Sequence, residues 1–237
     1  MTLSSLSLIL LSRNEEKIIE KNIHNVLRYL NSLNYIKNFE ILICDKSDDQ
    51  TPIIVNNISK QFPQVRLIKV HDIGIGAGIK SGIDNARYPI VCSNGIEIPT
   101  GFSFIGDSFK KIVDGYDIVV ATRGNSGFID NRPLKRKIFS KCYNLLINLV
   151  FHLSIPDTQS AVTFKLSEIK NFRENLQDDG PFLQTEILIH AKLNCLKLLL
   201  MPTNFNDVRK DSKIRVFSFS IDMLKQIFAK KRQLKRL

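Results

Sequence analysis

The sequence predicts an α/β fold with a mostly parallel sheet flanked by helices, and three observations carry that expectation. Short β-rich runs alternate with segments of helical period through the first half of the chain, the pattern of successive βαβ units. The runs end in polar or glycine residues, where open α/β sheets collect their ligands. The 237 residues contain no Gly/Ser linker, low-complexity break or internal repeat, so they read as one domain with a C-terminal extension.

The first strand is expected over residues 6–12; its apolar run is too short to span a membrane and has no basic segment before it, so it reads as a strand rather than a signal peptide. Ile19, Ile23, Val26, Leu30 and Leu33 then recur at three- and four-residue steps and give a helix one apolar face. A second strand is expected over 39–45. The helix after it starts at Pro52, which suits a first helical turn. Strands over 65–70, 90–93 and 118–122 follow, with helices over 78–86, 103–114, 135–153 and 181–193. The strand ends to inspect are Arg13 to Glu16, Asp45 to Asp49, Asp72 to Gly78, Asn94 to Glu97, and Arg123.

Charge points to an anionic partner. Lys and Arg number 34 against 23 Asp and Glu, a net +11, which suits nucleic acid, anionic lipid or a phosphorylated small molecule. Arg132, Lys135, Arg136, Lys137 and Lys141 run into the apolar segment 145–153 and then into Asp157-Thr158-Gln159-Ser160. Phosphate prefers Arg and Lys while a hydrocarbon tail prefers an apolar wall, so this order suits an anionic lipid head group; a buried helix with a solvated basic first turn has the same pattern. Cys44, Cys92, Cys142 and Cys195 form no CxxC pair, which argues against a zinc site or disulfide scaffold and for a reducing compartment.

Taken in order, the strand ends resemble glycosyltransferase family 2, and within it the polyprenol-phosphate (dolichol-phosphate) mannose or glucose synthases, from Leu6 to about Arg215. Asn14-Glu15-Glu16 matches the end of the family's Pro-x-Tyr-Asn-Glu-Glu, although an acidic first turn also suits any helix N-terminus. Asp45-Lys46-Ser47-Asp48-Asp49-Gln50-Thr51 keeps the second Asp, the Ser, the later Asp and the Thr of Asp-Asp-Gly-Ser-x-Asp-Gly-Thr; Ser47 and Asp49 are equally ordinary helix caps. Gly74-Ile75-Gly76-Ala77-Gly78, with Lys80 and Gly82, resembles the Gly-Lys-Gly-x-Ala segment, with Ile75 in place of the lysine. It is no dinucleotide fingerprint, because the third glycine position falls on Ile79 or Ser81. The resemblance implies a GT-A type, Rossmann-like nucleotide-binding domain over residues 1–215, with Asn14, Glu16, Asp45, Ser47, Asp49, Gly76 and Asn94 on the donor side.

The family's Asp-x-Asp, which holds a divalent cation against the donor diphosphate, is replaced by Asn94-Gly95-Ile96. The resemblance implies Mg²⁺ or Mn²⁺, whereas Asn94 and Glu97 are the weak ligands that this chain offers. On the acceptor side the resemblance is fuller. Arg123, Arg136 and Ser140 fall where the family binds the acceptor phosphate, Arg136 and Ser140 lying four apart on one helical face. Asp157-Thr158-Gln159-Ser160 matches Asp-Thr-Gln-Cys/Ser, and Arg209 with Asp211-Ser212-Lys213-Ile214-Arg215 resembles the element that closes over the donor. The implied reaction centre comprises Asp157, Arg123, Arg209 and Lys213.

Residues 216–237 read as a basic amphipathic helix on an anionic membrane surface, since Phe217, Ile221, Leu224 and Phe228 step by four, three and four while lysines gather behind them; a solvated helix packed on the domain is the alternative. The resemblance implies transfer of glucose or mannose from a UDP- or GDP-hexose to a polyprenyl phosphate, by a protein held peripherally at the cytoplasmic membrane face. A degenerate homologue that binds lipid phosphate or a partner protein without catalysis is the second reading. Nucleic acid is not expected, because no binding module accompanies the charge.

Overall fold

The computed structural model of the chain describes residues 4–123, 129–130, 133–206 and 226–234. In chain order the elements are β1 (Ser5–Ser12), α1 (Ile19–Asn31), β2 (Asn38–Asp45), α2 (Thr51–Gln61), β3 (Val65–Lys69), α3 (Ile75–Asn85), β4 (Ile90–Gly95), α4 (Phe102–Val113), β5 (Ile118–Thr122), α5 (Leu134–Phe151), β6 (Val162–Lys165), α6 (Leu166–Lys170), α7 (Phe182–Leu193) and β7 (Leu198–Pro202). A last helix, α8, covers 226–234.

The strands form one seven-stranded sheet in the order β3-β2-β1-β4-β6-β5-β7. β1 pairs in parallel with both β2 and β4, and β5 with β7, while β6 runs antiparallel between β4 and β5. The predicted fold class therefore holds, and the GT-A assignment is treated with the structural comparisons below. β6 and β7 were not among the predicted strands: Val162–Lys165 has four residues, too few to show a period, and Leu198–Pro202 is a continuous apolar run without alternation.

Helices cover both faces, so strand residues of both parities are buried. Leu6, Leu8 and Leu10 of β1 face the cluster formed with α1, α2 and α4 through Ile19, Ile23, Val55, Phe104 and Ile105. Ile9 faces the other cluster, which contains Ile79 and Ile83 of α3, Ile147 of α5 and Ile187 of α7. α3 lies so close to the sheet that a Cβ at Gly82 would stand 2.5 Å from the Ile9 side chain and one at Gly78 would stand 2.7 Å from Leu11. Small residues on that helix are what permit the approach.

The chain builds β1, β2 and β3 outward in one direction and then returns to place β4 on the other flank of β1. That reversal opens a crevice at the carboxyl ends of β1 and β4, the usual ligand position in open α/β sheets. After β7, the Thr203 N–H donates to Thr122 O, Phe205 N–H to Ile129 O and Asn206 N–H to Pro99 O. The segment thus crosses the carboxyl ends of β5 and β4.

Candidate active site

The loop after β1 and the loop after β2 are tied together at the crevice. Asn14 is in the left-handed region at φ 57°, which Asn tolerates better than most residues. Its N–H donates to Ser47 Oγ at 2.7 Å and its Oδ1 accepts from Asp48 N–H at 2.9 Å. Glu16 N–H donates to Asp49 Oδ2, and Glu16 Oε2 accepts from Gln50 N–H. Asp45, 3 % exposed, accepts from Ser47 Oγ at 2.6 Å and from Ser47 N–H at 3.1 Å. Asp49 Oδ1 takes the Thr51 N–H at the start of α2. Burial pushes the Asp49 carboxyl up, but the hydrogen bonds from Thr51 and Glu16 more than offset it and hold the group below its usual range. The donor-side residues expected here are therefore gathered in one place, where they also organise the loops. Cys44, just before them, is an inert thiol: burial pushes it up to about 12.

Gly76 belongs to a second contact. A Cβ there would stand 2.6 Å from Asp178 O and Gly180 O, and one at Gly74 would stand 1.9 Å from Asp179 O. Ala77 N–H donates to Asp179 O, and Lys80 forms a 2.7 Å ion pair with Asp179 while donating to Gln177 O. The glycines at the start of α3 thus admit the backbone of residues 177–180. Their spacing alone could not say whether a ligand or the protein's own chain would fill the space.

At the end of β4, Asn94 is buried, with Nδ2 on Thr100 Oγ1 at 2.7 Å and Oδ1 accepting from Gly95 N–H. Ile96 is fully buried in the core; its N–H donates to Leu11 O and its carbonyl accepts from Asn22 Nδ2. Ile98 follows at φ 49°, a strained conformation for a β-branched side chain. It closes the tight turn that places Glu97 beside Gly95. Hard divalent cations need several oxygen ligands, usually with one or two carboxylates. An internally bonded amide, a buried isoleucine and one glutamate do not fit that need. Among the described residues no three His, Cys, Asp or Glu side chains group as a metal site.

Arg123 and Asp157, 34 positions apart, meet at the carboxyl end of β5. The Arg123 Nε–H donates to Asp157 Oδ2, and Nη2 donates to Asp157 Oδ1 at 2.6 Å and to Gln159 O at 3.0 Å. The side chains are 10 % and 5 % exposed, so this bidentate pair lies out of bulk water, where charge-assisted bonds are strongest. Phe205 lies against the guanidinium, 4.8 Å from ring centroid to Cζ. Thr158 N–H and Oγ1 both donate to Asn144 Oδ1 on α5. Thr185 of α7 donates to Thr158 Oγ1 and meets Tyr143 OH, while Gln184 Nε2 holds Ser160 O. Ser140 Oγ is 3.5 Å from Asn144 Nδ2.

Arg136 stands one turn before Ser140 in α5, but its side chain lies outside the described residues, as do Arg209 and Lys213. Asn144, Gln184, Thr185 and Phe205 were not among the predicted site residues. Asn144 could have been found as the next position, four on, in the Arg136–Ser140 series; the others depend on tertiary contact.

Residues 7–93 match the family model for Glycosyl transferase family 2. The chain is 23 % identical over 225 residues to glycosyltransferase AglD of Haloferax volcanii, covering 93 % of this chain and 36 % of that protein. It is 25 % identical over 222 residues to dolichyl-phosphate beta-glucosyltransferase ALG5A of Trichomonas vaginalis, covering 89 % and 68 %. The chain therefore spans about a third of one of these relatives and two thirds of the other. Among solved structures it resembles glucosyl-3-phosphoglycerate synthase of Mycobacterium tuberculosis in complex with Mn²⁺, UDP and phosphoglyceric acid, at TM-score 0.70 and 17 % identity over 96 % of this chain and 78 % of that one. The same synthase with Mn²⁺ and UDP-glucose superposes at TM-score 0.70 and 14 % identity, covering 96 % and 79 %. These likenesses establish the GT-A fold.

Proposed function

We propose that the chain, whose residues 7–93 match the family model for Glycosyl transferase family 2, moves a hexose from a UDP- or GDP-sugar to a polyprenyl phosphate. The observation that carries the reading is the buried Arg123–Asp157 pair beside Ser140 and Asn144 of α5. A phosphate monoester has its second ionisation near neutrality, so the attacking oxygen is already largely anionic and needs little from a general base. It needs a cation held in place.

In this reading Asp157 takes both of its oxygens to Arg123 and acts as a positioning residue. Arg123 receives the acceptor phosphate together with Ser140 and Arg136. The phosphate oxygen forms the new bond to the anomeric carbon as the bond from that carbon to the diphosphate breaks, and its electron pair leaves with the nucleoside diphosphate. Asn14, Glu16, Asp45, Ser47 and Asp49 shape the donor side, with Gly76 and Asn94 supporting it from behind through their contacts with residues 178–180 and Thr100, and the reading assigns Arg209 and Lys213 to close over it. Dolichyl-phosphate beta-glucosyltransferases among the relatives favour the lipid acceptor.

The lipid surface would meet α5. Leu134, Ile138, Leu145 and Leu149, all more than half exposed, share one stripe of that helix, with Lys141 exposed among them. No helix among the described residues is long and apolar enough to cross a membrane; the mode proposed is contact through this face and the exposed side of the tail 216–237, at the cytoplasmic side.

The test incubates the purified full chain with radiolabelled UDP-glucose or GDP-mannose and vesicles containing a short polyprenyl phosphate. Label in the lipid fraction is expected. No transfer from any common nucleotide sugar, with or without Mg²⁺ or Mn²⁺, sinks the reading. Asn94 and Ile96 favour a second reading, a lipid-phosphate binder without catalysis, which requires polyprenyl-phosphate binding with no nucleotide binding in calorimetry.

A further inference from the structure

We propose that this chain seats the diphosphate of its nucleotide ligand without a divalent cation, with Arg13 and Lys46 as the counter-charge. The inference rests on the nucleotide-sugar reading of the crevice and specifies how the donor's charge is met there.

The end of β4 as built cannot take up a metal by a simple side-chain turn. Ile96 is held by hydrogen bonds at both its N–H and its carbonyl, to two different elements, with its side chain fully buried. The Asn94 amide is bonded at both ends. A diphosphate taken into a partly dry crevice still needs positive charge or N–H donors close to its oxygens.

Two cations stand where that charge is needed. β1 and β2 are in register with Ser12 opposite Asp45, the last residues of the two strands, so Arg13 and Lys46 are the first residues past them, at the carboxyl edge of the sheet. The residues two before them, Leu11 and Cys44, both line the first turn of α3: a Cβ at Gly78 would meet Leu11 Cδ2 at 2.7 Å and Cys44 Cβ at 3.8 Å. Arg13 and Lys46 follow those strand ends near the N-terminal end of the 11-residue α3, whose Ala77 N–H is already taken by Asp179 O. Arg13 is exposed and Lys46 half-buried, and neither side chain makes an ion pair or hydrogen bond among the described residues. The other cation of this corner, Lys80, is committed to Asp179 and Gln177. Of the acids of the two loops, Asp45, Asp49 and Glu16 are committed to the loop hydrogen bonds, and Asp48 is exposed to solvent.

Calorimetry with UDP and GDP on the full chain, in EDTA and then in Mn²⁺, tests this. Binding of one diphosphate in EDTA, within about two-fold of its affinity in Mn²⁺, is expected. Arg13→Ala and Lys46→Ala should each weaken it about ten-fold, the scale of one charge-assisted contact, at unchanged melting temperature, and Arg13→Lys should recover most of the loss. Tightening of ten-fold or more by Mn²⁺, absence of binding in EDTA, or wild-type affinity in both alanine variants overturns the inference. Transfer to lipid in Mn²⁺ with no diphosphate binding in EDTA would leave hexosyl transfer standing and remove this inference alone. Diphosphate binding in EDTA with no transfer would do the reverse.

Discussion

Arg123 and Asp157 form one buried pair, whose loss should be felt in stability and, in the proposed reaction, in acceptor binding. Each is nearly buried and each is the other's main counter-charge. Removing one member leaves an uncompensated buried ion, which costs about 3–5 kcal/mol. Urea denaturation should therefore find Asp157→Asn and Arg123→Met each less stable by about that amount, with the double variant costing much less than the sum; additive losses would mean that the two do not depend on each other. Arg123→Lys keeps the charge but loses the bidentate fork, so phosphate-acceptor affinity should fall while the fold persists. Gly76 gives a second residue-scale test. Gly76→Ala drives a methyl group into the backbone of residues 178–180, and overpacking of this kind costs about 1–3 kcal/mol, to be read as a drop in melting temperature. Arg123 and Asp157 were both legible in the sequence as separate motif residues. Their partnership was not, because 33 residues intervene and only the antiparallel pairing of β6 with β5 brings the two together.

At the scale of elements, α8 departs most from what its sequence suggests. The tail reads as a basic amphipathic helix on an anionic membrane surface, yet Lys230 is 3 % exposed and pairs with the equally buried Glu186 of α7 at 2.9 Å, while donating to Asn175 O. Ile227 is fully buried beside it and Leu234 packs on the same core, seven residues on and so on the same helical face. Phe228, from the predicted apolar stripe, is instead exposed; Phe217, Ile221 and Leu224 lie outside the described residues. Glu186 also accepts the N–H groups of Gln177 and Asp178, so α8, α7 and the segment against α3 are joined through one carboxylate. Lys230→Met should cost about 3 kcal/mol or more by leaving Glu186 buried alone, and limited proteolysis should then cut near 226–234; an uncut chain of wild-type stability would refute the lock.

His190, one turn along α7, adds a pH dependence. Burial, together with the positive charge of Lys230 and against the opposing pull of Glu186, lowers its imidazole from 6.5 to about 4. The unfolded chain then binds a proton at higher pH than the folded one does. Stability is therefore unaffected by this group above about pH 6.5 and falls as the pH drops toward 4, by about 3 kcal/mol at most. His190→Phe, which keeps the stacking on Phe172, should flatten that part of the pH–stability curve in urea melts between pH 7 and 4.5.

On the scale of the whole molecule, the exposed stripe of α5 and the net positive charge give the proposed contact with an anionic lipid surface its test. Leu145→Asp and Leu149→Asp should together reduce flotation with anionic vesicles several-fold without changing stability, since both side chains are already exposed; unchanged flotation would take α5 out of the contact. The sequence by itself determined the α/β class, the parallel strands β1 to β5 and the places where polar residues gather, because local period, strand-end chemistry and chain order act over short distances and leave a pattern in one dimension. Only the tertiary structure decided that β6 enters the sheet antiparallel, that the α3 glycines receive the protein's own backbone, that Ile96 is locked into the core at the position where the family has a metal-binding Asp, and that Lys230 is a buried partner of Glu186. Each of those outcomes depends on which distant segment fills a space or neutralises a charge, and that is settled by packing and desolvation across the assembled fold.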